Sequence, residues 1–400
     1  MQDDIFSGLD TGSRQTWLSL VEKDLKGASF DEKLITRVDD LHIMPLYTAE
    51  DIPVRVDESD ADVDTDSEVS EEGFLLEESA QPISWNICEE ITLHTGDYLN
   101  DMLLPVLRRG CNFIYLKTDH WDKFFDEIRK IEYPATFVLE VQGDLTEEDI
   151  VNIWRDRVGF IGERDRLIHS IEFDPVSYWM QVGNVENANK TFNNLADMFF
   201  RLTAHLQDCR LIKIDASKVE QNSVTGQLAY ALAVASEYFT QLGKRNVPIE
   251  ELIYLVTFRF HVGENYFLEI AKLRAFKVLW INLIKAFLPS NDYIPNPYMH
   301  VVLTIHGTET KDTLITQTTR AMSAILGGCD TLLIHGDKKH TTHIQNLLRY
   351  ESYFDTYRNA ADGSFFLENM TAQIAEQAWK KFQQMQTGDI LTASITLRNA

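Results

Sequence analysis

From residue 81 onward, short apolar runs rich in β-branched and aromatic residues alternate with amphipathic stretches of helical period. The runs are Phe113–Leu116, Thr136–Val141, Ile168–Phe173, Leu211–Ile214, Ile253–Phe260, His300–Ile305 and Thr331–Ile334. Helical stretches at 97–109, 190–207, 226–242, 265–287, 312–326 and 370–384 separate most of them. A strand buried on both faces reads as a continuous apolar run, and its parallel neighbour is reached through a helical crossover. Strand–helix units repeated seven or eight times over roughly 300 residues predict a (β/α)8 TIM barrel. A doubly wound α/β sheet is the competing arrangement. No G-x-G-x-x-G or G-x-x-x-x-G-K-(S/T) follows any run, which removes the usual nucleotide-binding reason to prefer it.

The region before residue 81 has a different character. Residues 13–26 place Trp17, Leu20, Val21 and Leu25 on one helical face, and Gly27 is a natural stop. Residues 57–78 hold eleven Asp or Glu and no Lys or Arg, a self-repelling composition with little to bury. The division expected is an N-terminal arm over 1–55, packing on a partner chain through Trp17, Leu20, Pro45, Leu46 and Tyr47. An acidic flexible linker over 56–80 and the barrel over 81–400 complete it. Asp60, Asp62, Asp64 and Asp66 have the spacing of a calcium loop. Counted from Asp60, the sixth position is Thr65 where such a loop needs Gly, so no calcium site is expected.

Charge narrows the function. With 37 Lys and Arg against 62 Asp and Glu, the chain carries −25. Nucleic-acid phosphates and anionic lipids both select for basic surfaces, so neither is an expected partner. No basic segment leads into an apolar core at the N-terminus, and no run approaches the ~18 apolar residues of a membrane span. A cytoplasmic protein is expected. Its cysteines, Cys88, Cys111, Cys209 and Cys329, are far apart and read as buried free thiols.

Candidate chemistry is sparse. His306 and His335 each follow an apolar run as Ile-His-Gly, at the strand ends where barrels carry their active sites. His335, Asp337, His340 and His343 form H-x-D-x-x-H-x-x-H. That spacing allows a metal site, or a solvated loop beside Lys338 and Lys339, whose charge opposes a cation. Glu89 and Glu90 point to opposite sides of a strand and make a poor acid/base pair. Arg108 and Arg109 are not clustered with aromatics as a nucleotide-phosphate site would need.

Four segments carry a family resemblance. The run from Phe260 through Gly263, Asn265, Tyr266, Phe267, Glu269, Ile270, Ala271, Lys272, Arg274 and Ala275 to Leu279 and Trp280 resembles a signature of the acyl-CoA mutases that use adenosylcobalamin. That signature is F-x-x-G-x-N-(F/Y)-F-x-E-I-A-K-x-R-A-x-x-x-L-W, and methylmalonyl-CoA mutase is the nearest case. Residues 321–330, with Gly327 and Gly328, resemble the family's A-M-S-A-V-L-G-G-A-D. Residues 363–371 and 374–383 resemble G-S-Y-Y-x-E-x-L-T and I-A-x-x-A-W-x-x-F-Q. Pro45-Leu46-Tyr47-Thr48 is similar to a stretch of the family's arm.

The resemblance implies a barrel from a cobalamin-dependent complex of propionate metabolism. It also implies that this chain is the small, non-catalytic kind. Where catalytic chains carry W-x-I-R ahead of the first barrel strand, this one has Trp85-Asn86-Ile87-Cys88. Residues 215–223 lack the Tyr-His pair and are similar to the opening found in the small subunit. Leu333 stands where S-L-H-T-N would place His. The cobalamin motif D-x-H-x-x-G has one near match, Asp40-Leu41-His42-Ile43-Met44-Pro45, with Pro in place of Gly. The expected partner is a large subunit that holds the adenosylcobalamin, with acyl-CoA met only through the complex. Gly263, Asn265, Glu269, Lys272, Arg274, Gly327 and Gly328 are read as structural. The alternatives are a barrel enzyme with a metal-dependent site at the strand ends, a related mutase such as one acting on isobutyryl-CoA, and an acyl-CoA-binding homodimer without turnover.

Overall fold

The computed structural model describes residues 14–51, 84–94, 96–118, 136–141, 168–182, 188–203, 209–219, 223–290, 293–304, 311–356 and 359–386. The expected linker over 56–80 lies outside them.

The arm begins with helix α1 (Arg14–Asp24), a single turn α2 (Phe30–Lys33) and an antiparallel hairpin, β1 (Thr36–Val38) and β2 (Leu41–Ile43). Asp39 takes the left-handed conformation (φ 51°) in the two-residue turn, which hairpin geometry favours and Asp tolerates. The hairpin half of the arm packs on its own barrel. Leu41 and Ile43 are buried, and Tyr47 sets its ring 5.5 Å from Phe366. By contrast α1 buries no side chain, and Leu20 is 58% exposed.

Eight parallel strands among the described residues close into a barrel: β3 (Asn86–Leu93), β4 (Phe113–Thr118), β5 (Thr136–Val141), β6 (Ile168–Phe173), β7 (Arg210–Asp215), β8 (Val256–His261), β9 (Tyr298–Leu303) and β10 (Thr331–Ile334). β10 pairs with both β9 and β3, which closes the ring. The helices described are α3 (Leu99–Arg108), α4 (Pro175–Val182), α5 (Ala188–Thr203), α6 (Val224–Gly243), α7 (Ile249–Leu252), α8 (Tyr266–Phe287), α9 (Lys311–Leu326), α10 (Lys338–Asn346) and α11 (Phe365–Gln386). The predicted TIM barrel is the observed fold.

Two strands differ from expectation for physical reasons. Trp85-Asn86-Ile87-Cys88 does not precede the first barrel strand; its last three residues open β3. Glu89 and Glu90 interrupt the apolar run and hide that strand from a hydropathy reading. Both are neutralised in place. Arg109 donates to the two oxygens of Glu89 at 2.7 Å on the outer side, and Lys117 lies 2.8 Å from Glu90. Strand β8 begins at Val256 rather than Ile253, because Pro248 and the acidic pair Glu250 and Glu251 favour the one-turn helix α7 first.

Alternation within each strand makes two separate cores. Outward side chains such as Phe258 and Phe260 meet Phe276 of α8 at 4.6 and 4.7 Å between ring centres. Inward ones meet each other across the barrel axis. All four cysteines are free and buried, as expected. Burial pushes the Cys111 thiol up to about 12, so it is inert at neutral pH.

Candidate functional site

The signature after β8 builds an anchor. Asn265 is the N-cap of α8, its side chain accepting from the Leu268 N–H. One turn later Glu269 and Lys272 form an ion pair, with Lys272 fully buried and Glu269 nearly so. Lys272 Nζ also donates to the His261 carbonyl at 2.6 Å. A Cβ on Gly263 would sit 3.0 Å from Glu269 Oε1, so Gly leaves room for that carboxylate. Arg320 from α9 completes the anchor. Its guanidinium donates to the Val262 carbonyl and to the Thr304 carbonyl at 3.0 Å, and lies 3.1 Å from His261 Nε2. Arg274 ties α8 to α11, donating to Asn359 at 2.7 Å and Glu368 at 2.5 Å. These charges fix the loop that leaves β8.

The Gly-Gly pair ends α9. A Cβ on Gly327 would meet Leu273 of α8 at 2.8 and 2.9 Å, closer than packed atoms tolerate. Gly328 turns the chain with φ +82°, against the amine of Lys277.

Inside the barrel the lining is split. Cys88, Phe113, Tyr115, Val138, Val302 and Leu333, from β3, β4, β5, β9 and β10, form one buried apolar cluster. Leu333 and Cys88, two of the positions where the resemblance implies a departure from catalytic chains, are neighbours, since Leu333 pairs with Cys88 and Cys88 with Phe113. The other side, from β6, β7 and β8, is charged. Glu172, Lys213, Asp215 and Arg259 are all buried there. The Tyr115 hydroxyl bridges the two sides, with Arg259 NH1 at 3.3 Å and Lys213 Nζ at 3.5 Å. Arg259 stands 3.8 Å from Asp215, and its guanidinium centre is 5.1 Å from the middle of the Tyr115 ring. Asp174 accepts from the Ser177 and Asp215 N–H groups at 3.0 and 3.1 Å. Burial raises its carboxyl above the usual value, partly offset by Lys213. Bulky rings and long cations thus occupy the barrel axis.

The histidines do not assemble. His335 follows β10 at the mouth of the barrel, half-buried. Burial lowers its pKa, as do Arg259 and Lys117, against an opposing effect of Glu90. Asp337 instead caps α10, accepting from the Lys339 and His340 N–H groups at 2.9 and 3.4 Å. Those bonds hold its carboxyl below the usual range. His340 and His343 are exposed on the same helix. His306 lies outside the described residues. Among the described residues no three His, Cys, Asp or Glu side chains are grouped to hold a metal ion.

The near match to a cobalamin motif does not fit the group. Asp40 is paired with Lys381 at 2.7 Å, and Leu41 and Ile43 face the core. His42 is an exposed strand residue whose carbonyl accepts from Tyr47. Nothing there cradles a corrin around an axial nitrogen. Arg320, Lys213 and Arg259 were missed from sequence. A lone Lys or Arg inside an apolar run was the available signal, since burial of such a group requires partners.

A family model described as methylmalonyl-CoA mutase matches residues 161–395. The chain is 26% identical to the methylmalonyl-CoA mutase small subunit of Porphyromonas gingivalis, over 95% of this chain and 64% of that one. It is 22% identical to the small subunit from Propionibacterium freudenreichii subsp. shermanii, over 94% of this chain and 62% of that one. With the methylmalonyl-CoA mutase of Cereibacter sphaeroides it shares 25% identity over 42% of this chain and 26% of the other. The chain therefore spans under two thirds of the length of these relatives.

Proposed function

The chain belongs to the methylmalonyl-CoA mutase family, and we propose that within it this chain is the small, structural subunit of a two-chain mutase. Its partner is a large subunit with an intact barrel, which holds adenosylcobalamin and carries out the chemistry. That complex interconverts (R)-methylmalonyl-CoA and succinyl-CoA by a radical rearrangement. The chain described here contributes a folded barrel and an interaction surface.

The observation that carries the reading is the apolar pair at the barrel axis. A thioester carbonyl or a carboxylate needs donors in a closed polar pocket. Leu333 and Cys88 sit beside each other in an apolar cluster with Phe113 and Val138, and neither supplies a strong donor. Across from them the charged groups are engaged with one another and with Tyr115.

Isothermal titration of the isolated chain with a CoA thioester tests this. No saturable heat is the result expected. Stoichiometric binding would contradict it and favour the acyl-CoA-binding homodimer. The metal-dependent alternative draws no support from the positions of Asp337, His340 and His343, which lie along one exposed helix end.

A further inference from the structure

The arm is held by an arrangement that neither the barrel nor the family signature requires. We propose that residues 36–51 form a strap which detaches from the barrel as a unit, fastened at the Asp39-Asp40 turn. The Asp39 carboxylate sits over the start of α6, 3.3 Å from the Thr225 N–H and 3.3 Å from Ser223 Oγ. Ser223 is itself the N-cap of α6, accepting from the Gly226 N–H. The turn thus brings an anion, beside the neutral Ser223 cap, to the positive end of a 20-residue helix. Lys381 of α11 closes the fastening. Its amine reaches Asp40 at 2.7 Å and donates to Thr225 Oγ1 at 2.8 Å. One lysine therefore links the arm, α6 and α11.

Further along, the Asn369 side chain donates to the Asp51 carbonyl at 2.6 Å, and Gln373 lies 3.5 Å from the Tyr47 hydroxyl. Arg14 pairs with Asp51, so the strap also positions α1.

The strap is separable because of how little it shares with the barrel. β1 and β2 pair only with each other and are not part of the barrel sheet. A lone two-stranded hairpin is marginal in water. Leu41, Ile43 and Tyr47 are its buried side chains. The strap also sits where opening has a consequence. α6 starts just beyond the C-terminal end of β7, the strand that carries Lys213 and Asp215, so releasing Asp39 takes the acceptor from the Thr225 N–H at the barrel mouth while Ser223 still caps the helix.

Amide hydrogen exchange on the full chain tests the proposal without any partner, so its failure is distinct from failure of the subunit reading. Residues 36–51 are expected to exchange together, well before β7, β8 and β9. Raising salt from about 0.05 to about 0.5 M is expected to speed that exchange, because it screens an exposed charge pair. Asp39→Ala, which removes an acceptor at the helix start, is expected to speed it about fivefold, and Lys381→Met, which removes a partly exposed ion pair, about twofold, with strand protection unchanged as the check on folding. Protection of 36–51 equal to that of the strands would overturn the proposal. So would exchange indifferent to both substitutions.

Discussion

Lys272 is the residue on which the βα junction after β8 turns. Its amine serves a carboxylate and a carbonyl in a site closed to water. Removing one member of such a pair strands the other charge, so Lys272→Met is expected to lower stability by about 3–5 kcal/mol in urea unfolding. A loss below that range by more than half would mean the site admits water. Gly327→Ala drives a methyl into Leu273 and is expected to cost about 1–3 kcal/mol by the same measurement. His335 gives a pH signature. Its folded pKa is depressed below the ordinary 6.5, so the unfolded chain binds the extra proton. Stability tied to this group is complete above the unfolded value and is lost as pH falls below it. Urea midpoints taken between about pH 7 and pH 5 should fall more steeply for the parent chain than for His335→Gln. Equal slopes would show that His335 titrates normally.

At the scale of elements, α8 is the axle of the molecule. It carries the N-cap Asn265, the anchor pair, the tie through Arg274 and the face that receives Gly327. Asn265→Ala is expected to cost about 1 kcal/mol, read as a lower thermal midpoint. This helix was legible in the sequence because its period, cap and stop are local. Strands β4 to β10 were legible for the same reason, each being an apolar run between turn residues. What the sequence concealed was long-range. Glu89 and Glu90 disguise β3 because their neutralising partners, Arg109 and Lys117, lie a helix and a strand away. The docking of the hairpin depends on Thr225, Asn369 and Lys381, hundreds of residues from the arm. Spacing alone could not reveal that, within the histidine run, Asp337 uses Oδ1 to cap a helix.

At the scale of the whole molecule, the proposed role for this barrel, apolar on one side of its axis and charged on the other, is that of a scaffold. Restoring one family residue should not restore function. Leu333→His would place an imidazole among Cys88, Phe113 and Val302, at an expected cost of about 2–5 kcal/mol, with no gain of mutase activity in the complex. Among the described residues no helix is long and apolar enough to cross a membrane. None of the apolar side chains of α1 is buried. In the proposed role this chain supports a catalytic partner without catalysing. Co-expression with the candidate large subunit, followed by size exclusion and a mutase assay with added adenosylcobalamin, is the decisive experiment. A stoichiometric complex whose activity resides in the large chain is the expected result. Failure of the two to associate, with activity or bound metal appearing in this chain alone, would contradict it.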